Sequence, residues 1–160
     1  MQLSHRPVQD SDLPALCEFS KNPTELMFWF PRAHFPLTPV QLQAAIAERR
    51  DSRIVVAGGR VVGFSNFCRW ADEVYAIGNA VVDPAYRGQG VGRYLLKMMI
   101  ERAFETHGAR EVVLSCFNAN VAGLLLYQTL GFTPYAIEER RSVADERVAL
   151  IYLRLPRPCQ

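Results

Sequence analysis

Apolar and polar positions change their period several times along the chain, and each change predicts an element. "MQLSHRPV" alternates and reads as a first strand. "QDSDLPALCEF" places Leu13, Leu16 and Cys17 behind a cap at Asp10 or Ser11, a short helix. Residues 22–37, "NPTELMFWFPRAHFPL", are aromatic and broken by proline, and no single period fits them. Thr38 followed by Pro39 opens a helix over "TPVQLQAAIAERR", because proline at the first helical position gives up only an N–H that would be unpaired there. "RIVVAGGRVVGFSNFCRW" reads as two strands about a Gly58-Gly59 hairpin turn, and "VYAIGNAVV" as a further strand.

The second half is more regular. "GVGRYLLKMMIERAFETHG" aligns Val91, Leu95, Met98 or Met99, and Ala103 in one stripe and turns Arg93, Lys97, Glu101 and Glu105 outward. It predicts one long helix ended by Gly108. "REVVLSCF" is a strand of the buried type, "NVAGLLLYQTL" a helix closed by Gly131, and "FTPYAIEE" and "ERVALIYLRL" are two closing strands. Helices come early, an antiparallel meander follows, and strand–helix–strand–helix–strand completes the chain. That order describes a single mixed α/β domain over residues 1–160, without internal repeat or linker.

Composition narrows the partners. The 160 residues are 49% hydrophobic, enough for a real core. Eighteen basic against sixteen acidic residues leave +2 with no Lys/Arg block, so no nucleic-acid partner is expected. Cys17, Cys68, Cys116 and Cys159 are scattered without a C-x-x-C, and the three histidines lie far apart, so no metal site is expected. The opening residues lack a signal-peptide core, and no apolar run reaches the roughly 18 residues of a membrane span. A soluble, cytoplasmic protein is the expectation.

The chemistry concentrates in "AVVDPAYRGQGVGRYLL", residues 80–96. A strand breaks at Asp83-Pro84, and Arg87, Gly88, Gly90 and Gly92 then crowd six positions before a helix. A glycine-rich turn at a helix N-terminus binds anions through bare, unpaired N–H groups and the positive end of the macrodipole. Arg87 adds a guanidinium that pairs with phosphate. The same glycines could equally serve a tight turn and close packing. A P-loop is excluded because Arg93-Tyr94 stand where Lys-Ser/Thr is needed. The dinucleotide fingerprint is excluded because the third glycine comes one position early.

These residues resemble the GCN5-related N-acetyltransferases, the GNAT family. That family's acetyl-CoA signature, [RQ]-x-x-G-x-[GA] after a strand ending V-x-P, is matched by Val82-Asp83-Pro84 and by Arg87 through Gly92. Its second signature, an asparagine, a short helix carrying L-Y, then G-F, is matched by "NVAGLLLYQTLGF", Asn120 to Phe132. The resemblance implies a central mixed, mostly antiparallel sheet splayed like a V, with helices on both faces. It implies that the backbone of Ala80, Val81 and Val82 pairs with the pantetheine arm of acetyl-CoA. It also implies that Arg87, Gly88, Gln89, Gly90, Val91 and Gly92 hold the diphosphate. Asn120 and Tyr127, two helical turns apart, lie on one face about 10 Å apart along the axis. They would meet the pantetheine at two points, although an N-cap and a core aromatic are their ordinary roles.

The implied reaction is direct attack of a primary amine on the thioester. A backbone N–H near Val81–Val82 would polarise the carbonyl, and Tyr127 would protonate the thiolate. No base is assigned. Relatives carry a glutamate at positions corresponding to Ala76 or Ser115, and neither is a carboxylate here. A water held by Asn79, Ser115 or Asn118, or Glu73 reaching in from the start of its strand, are the candidates. The acceptor, a small molecule or a peptide amine, would enter beside "ELMFWFPRAHF", whose Arg32 could bind a substrate carboxylate. A coenzyme A-binding module without turnover is the alternative, and a homodimer is plausible.

Overall fold

The computed structural model describes residues 1–159. Seven strands form one sheet in the order β1-β2-β3-β4-β5-β7-β6. They are β1 (Leu3–Pro7), β2 (Arg50–Ala57), β3 (Arg60–Arg69), β4 (Val74–Val82), β5 (Glu111–Phe117), β6 (Thr133–Arg141) and β7 (Arg147–Pro156). Every neighbouring pair is antiparallel except β4 and β5. The helices are α1 (Leu13–Cys17), α2 (Pro23–Trp29), α3 (Pro39–Glu48), α4 (Val91–Glu101) and α5 (Val121–Thr129).

Helices cover both faces, as expected. On one face α4 buries Val91, Leu95, Met98 and Met99 against Val55, Val62, Phe67 and Val112 of the sheet. On the other, Leu13, Leu16, Leu26, Trp29 and Leu42 from the three early helices close over Ile54, Phe64 and Val81. Each fully buried Leu or Phe contributes about 1.5–3 kcal/mol from burial, so the two apolar layers hold the sheet between them.

Local chemistry explains most element ends. Gly58 and Gly59 both take positive φ (55° and 78°), the geometry of a two-residue hairpin turn. Thr38 and Asn120 cap α3 and α5 by accepting from Gln41 N and Gly123 N. Three local features differ from the sequence reading. A 3-10 turn over Asp10–Asp12, capped at Gln9, leads into α1, whose own cap is Asp12 rather than Asp10 or Ser11, and Asp12 turns back to accept from Gln9 N at 2.8 Å. Residues 22–37 contain a helix, α2, started by Asn22 and Pro23. The long helix gives way after Glu101 to a π-type turn over Arg102–Thr106.

The sheet parts where β4 meets β5. Only Val74–Ala76 pair with Glu111–Val113, and beyond Ala76 and Val113 the two strands diverge. This is the splay of the V. From Ile77 onward one edge of β4 stays bonded to β3, while the other edge faces an open cleft.

Candidate active site

Two cavities meet at this cleft. The larger, about 750 Å³, is lined by the end of β4 (Ala80, Val81, Val82), the turn and first residues of α4 (Arg87, Gly88, Gly90, Gly92, Arg93), and one side of α5 (Asn120, Gly123, Leu126, Tyr127). The smaller, about 390 Å³, lies between Ile77–Ala80 of β4 and Leu114–Phe117 of β5. Phe28, Trp29, Ala80 and Tyr127 line both.

Nine of the eleven residues singled out from the sequence therefore surround one space. Gln89 and Val91 do not line it. Gln89 is exposed and donates back to the Ala85 carbonyl, and Val91 is buried in the core beneath α4. For both, only the backbone is available to the turn.

The glycines divide by physical role. Gly88 (φ 73°) and Gly90 (φ 87°) occupy the left-handed region, and a Cβ at either would point into open space. The turn thus bares its backbone toward the cavity at the start of α4, an eleven-residue helix. Gly92 has no such φ. A Cβ there would stand 3.3 Å from Leu126 Cδ2 and 3.7 Å from Val82 Cγ2, so its bareness lets α4 approach α5 and β4. The close-packing role thus falls to Gly92, while Gly88 and Gly90 form the turn and leave its backbone bare toward the cavity.

On α5, Asn120 combines its two roles. Its Oδ1 accepts from Gly123 N at 3.1 Å, while the residue also lines the larger cavity. Tyr127 is buried, lies edge-on to Phe132, and makes no side-chain hydrogen bond with another described residue. Burial, reinforced by the nearby Cys116 thiol, pushes its phenol well above the usual tyrosine value. Burial alone lifts Cys116 to about 11. Tyr127 is thus a neutral O–H donor throughout the physiological range.

The wall opposite comes from α2. Asn79 sits in a bulge of β4 at φ 50° and is buried. It accepts from Asn66 Nδ2 and donates to the Trp29 carbonyl, both at 3.0 Å, fastening α2 to the bulge. Asn79 is therefore committed to the framework. Asn118 Oδ1 accepts from Ala149 N at 2.9 Å. Glu73 lies at the far end of β4, seven residues and roughly 23 Å of extended chain from Ala80. Among the candidates for holding a water, Ser115 alone is both exposed and on a cavity wall.

Glu25 is a cleft residue that the sequence reading missed. Among the described residues it is the one carboxylate lining either cavity, and it accepts from Lys21 N at 2.6 Å. The signal was present: Asn22-Pro23-Thr24-Glu25 has capping-box spacing, which would have started α2 there and set Glu25 on its first turn.

Comparison with known proteins agrees with this geometry. The profile of the Acetyltransferase (GNAT) family matches residues 16–132. The ribosomal protein bS18-alanine N-acetyltransferase of Escherichia coli strain K12 is 28% identical over 151 residues, covering 93% of this chain and 94% of that protein. The crystal structure of the Escherichia coli ribosomal-protein-S18-alanine N-acetyltransferase superposes with a TM-score of 0.77 at 26% identity, covering 97% of this chain and 94% of that one. A Salmonella typhimurium protein solved with its cofactor acetyl-CoA has the same fold, with a TM-score of 0.77 at 21% identity over 98% and 94% of the two chains. The chain belongs to the GNAT acetyltransferase family. It is an N-acetyltransferase, as the two sequence signatures implied.

Proposed function

We propose that acetyl-CoA occupies the larger cavity, that the amine acceptor enters through the smaller one, and that transfer takes place where they join. The observation that carries this is the position of Tyr127, which lines both cavities and has a hydroxyl uncommitted to any described residue. The fit to acetyl-CoA rests on two features of the cleft. The outer edge of β4 beyond Ala76 is unpaired, so alternate residues of 77–82 can offer N–H and C=O groups to an amide-bearing arm as an added strand would. The turn at Gly88 and Gly90 bares N–H groups at a helix N-terminus for a diphosphate, with Arg87 beside it.

Acetyl-CoA supplies an acetyl group activated as a thioester. In this reading Asn120 and the backbone of Ala80–Val82 align the arm, and an N–H of the β4 edge draws charge from the carbonyl. The amine nitrogen forms the new C–N bond as the C–S bond breaks. Tyr127 supplies the proton that the sulfur takes up and regains one from solvent, to which the amine's proton leaves through a water on Ser115. No carboxylate among the described residues lines the smaller cavity, so the amine arrives neutral rather than being stripped by a side chain.

Thiol release from acetyl-CoA across amino acids, polyamines, aminoglycosides and short peptides tests the assignment. Release with one class, lost in Tyr127→Phe, supports it. Coenzyme A binding together with transfer unaffected by Tyr127→Phe would remove Tyr127 from the reaction. Coenzyme A binding without transfer to any amine would favour the alternative of a binding module.

A further inference from the structure

The smaller cavity has an unusual charge. Arg32, Arg49, Arg69 and Arg140 all line it, and no Asp or Glu does. Arg140 is held by Glu138 at 2.9 Å, but Arg32, Arg49 and Arg69 form no ion pair among the described residues. Arg49 is the most enclosed of the four and donates to Asn66 Oδ1 at 3.3 Å, which joins it to the Asn66–Asn79–Trp29 chain. Burial, with the Arg32 charge adding to it, lowers its affinity for its proton.

The backbone makes room for this guanidinium. A Cβ at Gly78 would lie 2.6 Å from Arg49 Nη1 and 3.1 Å from Cys68 Sγ. Gly78 is on the unpaired stretch of β4, two residues before Ala80, where the two cavities join. Arg49 is thus built into the acceptor side of the cleft. Three unpaired guanidiniums around one cavity repel each other and any incoming cation, and an anion relieves that repulsion. Guanidinium forks match carboxylate and phosphate oxygens geometrically.

We infer that the acceptor is a small amine carrying an oxyanion group, carboxylate or phosphate, which Arg49, Arg32 and Arg69 hold while its amine faces the Tyr127 end of the cavity. The inference rests on the acetyltransferase reading above and deepens it by naming the acceptor class. Polyamines are excluded by the same field. The cavity, at about 390 Å³, suits a metabolite of amino-acid size.

The test is binding of L-glutamate, 2-aminoethylphosphonate, L-glutamine amide and spermidine to the coenzyme A-loaded protein, by calorimetry, with thiol release from acetyl-CoA in parallel. One or both anionic amines should bind at least ~10-fold more tightly than glutamine amide or spermidine, as one charge-assisted contact implies. Which of the two does so separates carboxylate from phosphate. Arg69→Gln and Arg32→Gln should each weaken the anion by about tenfold, and Gly78→Ala should do so without removing any charge, by displacing Arg49. Spermidine or glutamine amide binding as tightly as both anions, or anion affinity unmoved in all three variants, would overturn the inference. Failure of the underlying reading would show separately, as absence of coenzyme A binding in the first titration.

Discussion

Asn79 donates its side-chain amide to the Trp29 carbonyl at 3.0 Å, joining a bulge in the central sheet to the end of a helix fifty residues earlier. Both partners are buried, and Trp29 and the neighbouring Ala80 line both cavities. One hydrogen bond therefore sets the spacing between the two walls of the cleft.

Replacing Asn79 with alanine leaves the Trp29 carbonyl and Asn66 Nδ2 buried and unpaired, at about 1–3 kcal/mol for each such group. We expect a lower thermal midpoint together with a raised KM for both substrates, because the α2 wall loses its anchor. Loss of stability with both KM values unchanged would show that the bond does not position the cleft.

Tyr127→Phe should lower kcat by about 10²-fold, the range of general acid catalysis, with little change in coenzyme A affinity. The raised phenol pKa adds a pH signature. Since the folded-state value lies above the ordinary one near 10, the donor stays protonated as pH rises through 8 and 9. No fall in rate below about pH 10 should be traceable to Tyr127. A pH profile whose alkaline limb near pH 9 disappears in the phenylalanine variant would contradict this.

The glycines should separate experimentally. Gly90→Ala forces a side chain into a left-handed φ, about 1–2 kcal/mol of strain, and places a methyl where the turn faces the cavity. It should weaken coenzyme A binding by tenfold or more. Gly92→Val instead presses on Leu126, so it should cost about 1–3 kcal/mol of stability and disturb turnover through α5 and Tyr127. Calorimetric titration beside thermal melts of both variants distinguishes the two effects, and identical behaviour would refute the division.

Acid should loosen the far end of the molecule. Asp51 accepts from Arg102 Nε at 2.6 Å, His107 Nε2 at 2.9 Å and Arg53 Nη1 at 3.2 Å. Burial alone would raise its pKa, but these hydrogen bonds outweigh it and hold the carboxyl below its usual range. Its contribution is present above the ordinary pKa near 4 and is lost as pH falls through the lower folded value. His5 acts in the same direction. Burial, then Arg53 and Arg102, lower its pKa, and its Nδ1 accepts from Arg53 Nε, so its contribution is present above the ordinary value near 6.5 and is lost as pH falls through the lower folded one, when protonation breaks that contact. Stability should therefore decline in two stages as pH falls, the first below the ordinary histidine value and the second below the ordinary carboxylate value, and Asp51→Asn should remove the lower stage at a cost of about 2–3 kcal/mol at neutral pH. A flat profile from pH 7 to 3 would disprove the arrangement.

Much of the active site was legible in the chain because its signals are local. The glycine turn, the cap at Asn120 and the seven-residue step to Tyr127 are each written within a few residues, and backbone geometry alone places them on one side of an element. Glu25 was legible too, through its capping spacing, but was hidden by the prolines and aromatics around it. Asn79 read as a possible water ligand, since nothing near it in sequence reveals that Trp29 and Asn66 take up its amide. Arg32 was marked as a possible carboxylate binder. Arg49, Arg69 and Arg140 carried no such mark, because their meeting depends on two different strands and a helix end.

By itself, then, the sequence determined most of the elements, the family and the residues that gather around the larger cavity, all of which depend on short-range periodicity and turn chemistry. Only the tertiary structure decided where β4 and β5 part, which polar groups are spent on the framework, and what charge lines the smaller cavity. Those depend on contacts between residues tens of positions apart, where burial and pairing, rather than local propensity, settle what each side chain is free to do.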